Sequence, residues 1–151
     1  MNTHPTPLFG ALVLVGLLAS TPALAQFKTA PSVDGASKHS SAAKTEREYR
    51  KDGARHLYAA YGKQIHKGKM PPLLYGIAII ETEIGAHGEV QNVRVVRQPA
   101  AAEVAPWAVQ MIKAAEPFPA PAKLGSVRYT EILLVDKSGR FQLDTLTEGQ
   151  R

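Results

Sequence analysis

Residues 73–97 read LLYGIAIIETEIGAHGEVQNVRVVR, and the fold turns on them. The first part, 73–84, is rich in aliphatic and β-branched side chains and apolar on both parities, which suits a strand and not an exposed helix. Gly85-Ala86-His87-Gly88 places two glycines in a four-residue turn. Residues 89–97 then return as a second strand, so the stretch predicts a β-hairpin. Along the first strand the even positions Leu74, Ala78, Ile80, Thr82 and Ile84 carry no charge, whereas the odd parity turns acidic at Glu81 and Glu83. Because strand side chains alternate between faces, the even face is expected to meet the helices.

The flanks supply those helices. Upstream, within 44–66, Ala54, Leu57, Tyr58, Tyr61 and Ile65 follow the three-to-four rhythm of one helix face, after Tyr49. Gly53 and Gly62 weaken that helix by up to about 1 kcal/mol each, and Gly68 with Pro71-Pro72 stops it. Downstream, Pro99 ends the second strand, and Val104, Trp107, Ala108, Met111, Ile112 and Ala115 form a stripe on a helix over 103–115. Pro106 suits its first turn, and Pro117-Phe118-Pro119 closes it. A third strand is expected at 126–135, a turn at 136–139, and a short fourth strand or strand-like tail at 140–143. The order α-β-β-α-β gives an α+β fold, a small antiparallel sheet of three strands (four with the tail) packed against two helices. Its expected core is Leu57, Tyr61, Ile80, Ile84, Val93, Val95, Trp107, Met111, Ile112, Phe118 and Leu133.

Before this unit lies a leader. Residues 8–19 (LFGALVLVGLLA) are a run of 12 apolar positions within 151, followed by Ser20-Thr21-Pro22 and Ala23-Leu24-Ala25. A bilayer-spanning helix needs about 20 apolar residues, whereas a short apolar run followed by small-x-small matches a signal peptide cleaved after Ala25. Three segments are expected: a signal peptide at 1–25, a disordered lead-in at 26–43 and one domain at 44–151. The mature chain is expected to be exported to the periplasm. Without cysteine the chain holds no disulfide scaffold, thiolate metal site or cysteine nucleophile.

Chemistry-bearing constellations are sparse. Glu81 and Glu83 share a strand face, as a carboxylate pair for acid–base work must, but they stand at a strand end without a His or Asp nearby and read as a solvated terminus. The histidines show no metal-ligand spacing, and Gly85–Gly88 opens no helix, as a phosphate loop would. No catalytic residue, cofactor or metal is expected. Charge says more. Residues 44–69 hold eight basic and three acidic side chains, which matches the whole net charge of +5. Arg50, Lys51, Arg55, Lys63, Lys67 and Lys69 are thus candidates for meeting anionic lipid, lipopolysaccharide or peptidoglycan. Nucleic acid fits neither export nor the lack of stacking aromatics beside the charge.

Several ordered features resemble the C-terminal domain of TonB-type energy transducers, with TolA's domain a more distant relative. A helix with Tyr58, Tyr61 and Ile65 runs into Met70-Pro71-Pro72. Gly88-Glu89-Val90-Gln91-Asn92-Val93-Arg94-Val95 looks like the family's G-x-V-x-x-V-x-V strand, and Pro117-Phe118-Pro119-Ala120-Pro121 looks like its P-F-P-x-P signature. Residues 127–135 match its final strand. The chain departs from the family in its cleavable leader, in lacking the long Pro-rich linker, and at Gln98-Pro99-Ala100-Ala101-Ala102-Glu103. The resemblance therefore implies the fold and a protein-binding habit, with no energy transduction of its own.

A small sheet leaves an edge of unpaired backbone groups, which accepts an extended segment by strand addition. The third strand is the expected edge, with Arg128, Thr130, Ile132 and Leu134 as partner-binding residues. The partner would be an envelope protein, such as an outer-membrane receptor or a component of a TonB system, or a second copy of the chain. If residues 141–146 fold back, they would cover that edge.

Overall fold

A computed structural model describes residues 27 and 39–147, so the leader lies outside the described residues. The chain runs β1 (Ser40–Ser41), α1 (Glu46–Ala60), β2 (Gly76–Ile84), β3 (Val90–Arg97), α2 (Val104–Ala114), β4 (Ala120–Pro121), β5 (Val127–Val135) and β6 (Phe141–Leu143), then a 3-10 turn at Asp144–Leu146. The fold is α+β. The main sheet has four antiparallel strands in the order β3-β2-β5-β6, and β1 pairs with β4 in a small parallel sheet.

The hairpin forms as its sequence prescribes. Gly88 turns the chain at φ +87°, a conformation that favours glycine, and Gly85 N–H donates to the Glu89 carbonyl at 2.9 Å. Both helices cover the same face, α1 over β5 and α2 over β2 and β3. That face carries the uncharged parity of β2, with Ala78, Ile80, Thr82 and Ile84 all buried. Of the expected core, Val93 and Val95 are only half-buried because they stand on the outer strand; the others are buried. Tyr49, Tyr129, Phe141 and Leu143 complete it.

Three expectations are corrected. α1 ends at Ala60 and not near residue 66, because the following backbone pairs with β6: Phe141 N–H donates to Gln64 at 3.0 Å and His66 N–H to Phe141 at 2.9 Å. Within the 26–43 lead-in expected to be disordered, Ser40–Ser41 form β1 and Phe27 is buried against Tyr75 and Trp107, while 26 and 28–38 lie outside the described residues. The third strand, β5, is not a free edge along its length, because β2 flanks one side and β6 covers residues 133–135 on the other.

Gly53, a helix-weakening residue by sequence, has a packing reason. A Cβ there would sit 3.0 Å from the Tyr129 hydroxyl, so its absence lets α1 close over that buried ring. Thr45 caps the helix by accepting from Glu48 N–H at 3.2 Å, while the Glu48 carboxylate accepts from Lys44 N–H at 2.7 Å.

Side chains of α1 and of its capping residue Tyr61 bond to carbonyls at and beyond the end of α2. Tyr61 donates to Met111 O at 2.6 Å and His56 Nε2–H to Ala115 O at 2.7 Å, while Tyr49 donates to Pro119 O at 2.7 Å. A carbonyl only accepts, so the His56 proton sits on Nε2, and its buried Nδ1 has no hydrogen-bond partner. Burial pulls the His56 pKa down, against the Ala115 bond that raises it. The unfolded histidine titrates near 6.5, and below that pH it binds a proton the folded one refuses. The His56 contribution to stability is therefore present above about pH 6.5 and is lost as the pH drops below that value toward the lowered folded pKa. Urea midpoints should decline from about pH 7.5 to about pH 5.5, and less so in His56→Gln, whose amide can still donate to Ala115.

Candidate functional site: the open edge and bare face of the sheet

Along β5, Ile132 N–H points away from β2 and donates to the Glu131 carboxylate at 3.0 Å. Leu134 faces Gln142 on β6. By strand alternation the backbone N–H and C=O groups of Arg128 and Thr130 project to that same side. Among the described residues no strand pairs there with 127–132. The space beside this half-edge is a groove of about 420 Å³, lined by Thr45, Glu46, Arg47, Arg50 and Thr130. Its far wall is thus the first turns of α1.

Glu131 follows the groove-lining Thr130 and pairs with Arg50, which lines the groove too. It is 1% exposed although it lies on the otherwise apolar parity of β5. One carboxylate oxygen accepts from Arg50 Nη2 at 3.1 Å, from Ile132 N–H and from Thr145 Oγ1 at 2.9 Å. Arg50 also reaches Asp144 at 3.7 Å. The second Glu131 oxygen and Arg50 Nε are buried without a hydrogen-bond partner. A buried carboxylate that occupies an edge N–H stops strand pairing at Ile132, one of the ways proteins blunt an edge.

The expected partner-binding residues therefore divide. Arg128 and Thr130 flank the open half-edge, with the Arg128 guanidinium 2.6 Å from Glu83. Ile132 has its N–H engaged, and Leu134 is covered by β6. The opposite edge, β3, has no outer strand among the described residues. It is interrupted by register shifts opposite Ile79/Ile80 and Glu83/Ile84, it carries Arg94 and Arg97, and its Val90 N–H goes to Glu116 at 2.9 Å. Irregular pairing and charge make β3 the poorer template.

The basic set is not brought into one stripe, as the end of α1 at Ala60 leaves Lys63, Lys67 and Lys69 in the following loop. Arg50 turns inward to Glu131, and Arg55 pairs with Asp52 at 3.2 Å. Lys51, Lys67 and Lys69 are exposed. Glu81 and Glu83 lie on the face of the sheet away from the helices, where Arg94 meets Glu81 at 3.0 Å and Arg128 meets Glu83. Each carboxylate thus faces a guanidinium. Among the described residues no group of three or more His, Asp or Glu is placed to hold a metal ion, and no helix is long and apolar enough to cross a membrane.

Sequence reasoning missed Glu131. Its signal was a lone acid on the apolar parity of the third strand. No protein-family model, curated protein or solved structure matches the chain.

Proposed function

We propose that the chain is an exported, non-enzymatic binding module that takes an extended segment of an envelope protein onto the open half of the β5 edge. The observation that carries the reading is that no described strand pairs with the outer side of β5 at Arg128 and Thr130, with Thr130 lining the groove beside α1. Backbone bonds to them would supply affinity, and the α1 wall would select side chains of the incoming strand. Export rests on the leader sequence. A TonB-system component or an outer-membrane receptor is the partner class that the family resemblance suggests.

Thr130→Lys tests the reading, because it keeps the backbone and sets a charge where a second strand must approach. The variant should keep its urea midpoint and lose partner capture from envelope extract by about tenfold or more, equivalent to about 1.4 kcal/mol. Lys67→Gln with Lys69→Gln should leave capture intact. The reverse pattern would move the function from the edge to the charged loop.

A further inference from the structure

The large apolar side chains exposed among the described residues are Leu73 (82%), Val96 (47%) and Ile77 (37%). Leu73 and Ile77 line one shallow cleft with Pro72, Arg97 and Pro99. Strand register extends this patch. Ile77 lies opposite Leu134 and Ile79 opposite Ile132, all four on the face away from the helices. Next to Leu134 comes Gln142, whose amide donates to the carbonyls of His66 at 2.9 Å and Gly68 at 2.6 Å. The loop with exposed Lys67 and Lys69 is thereby held on one flank of the apolar strip, and exposed Arg97, opposite Ile79, stands on the other. The acidic side chains near this end, Asp136 and Glu103, are engaged by His66 with Ser138 and by Tyr75.

We infer that this end of the molecule docks on an anionic phospholipid bilayer, with Leu73 entering the acyl boundary and Lys67, Lys69 and Arg97 resting on the phosphate plane. Charge complementarity with shape argues for that occupant. Leu73 protrudes from a loop stiffened by Pro71-Pro72, and cations lie on both sides of the apolar strip. An apolar tip between cations reproduces the layering of a bilayer surface, apolar within and anionic at the headgroups. The inference stands independently of strand docking and is compatible with it. Thr130 lies about 16 Å along β5 from the docking end, so the groove stays open while the tip is engaged.

A local probe tests this without interference from residues 1–25. Leu73→Trp adds an indole at an exposed position, and the native Trp107 is buried and supplies a constant background. With vesicles of equal parts phosphatidylglycerol and phosphatidylcholine, the added indole should shift its emission to the blue and be quenched by brominated acyl chains. Pure phosphatidylcholine should need about tenfold more lipid for the same shift, as should the variant also carrying Lys67→Gln and Lys69→Gln. A control Lys113→Trp, on the exposed side of α2, should not shift. No shift at residue 73, or equal shifts at 73 and 113, would overturn the inference. So would a shift produced by polyglutamate without quenching from brominated lipid, which would reassign the patch to an acidic protein.

Discussion

Phe118→Ala should lower stability by about 3–5 kcal/mol, read as a fall in the urea midpoint at unchanged slope. The ring is buried between the two layers, with its centroid 4.7 Å from the His56 imidazole. Its backbone N–H donates to Gly88 O at 2.8 Å, fixing the hairpin turn to the segment that leaves α2. Removing the ring opens a cavity in which His56 loses its packing partner while keeping its bond to Ala115. A stability loss below about 1 kcal/mol would mean that the site collapses freely and that the ring is not closely packed.

Gly88→Ala should cost about 2–4 kcal/mol, combining a left-handed conformation with a steric clash. At φ +87° the new Cβ would stand 2.0 Å from the Phe118 carbonyl oxygen, a backbone atom that cannot rotate away. The hairpin turn must therefore separate from the Pro117-Phe118-Pro119 segment. Because the two residues touch, the double variant Gly88→Ala/Phe118→Ala should lose less than the sum of the single losses. Strict additivity in the midpoints would show that the turn and the ring do not depend on each other.

The parts of the fold legible in the sequence are those whose signals are local. The hairpin announced itself through parity and two glycines, and α2 through Pro106 at its start and Pro117 beyond its end. The end of α1 was hidden because Tyr61 and Ile65 keep helical spacing, although Ile65 bridges to Phe141, 76 positions along the chain. Such long-range pairing leaves no periodicity to read. β1 and β4, two residues each, are likewise too short to show a pattern. Phe27 was hidden in a polar segment, yet it stacks on Tyr75 at 5.3 Å.

The candidate site was half legible for the same reason. A small sheet must leave backbone groups unpaired, the third strand is the expected place for them, and Thr130 does stand beside the groove. How much of the edge is open depends on Glu131, Arg50 and Thr145. Arg50 and Glu131 lie 81 positions apart in sequence. The basic count of 44–69 could not show that Arg50 spends its charge inward while Lys67 and Lys69 face solvent.

The central claim is that a partner strand lies along Arg128 and Thr130, and site-specific photo-crosslinking tests it most directly. A benzoylphenylalanine placed at residue 130, and separately at residue 113 on the exposed side of α2, is irradiated in the producing cells. Strand docking predicts a discrete adduct with an envelope protein from position 130 and none from position 113. Absence of an adduct from 130, or the same adducts from both positions, would contradict it.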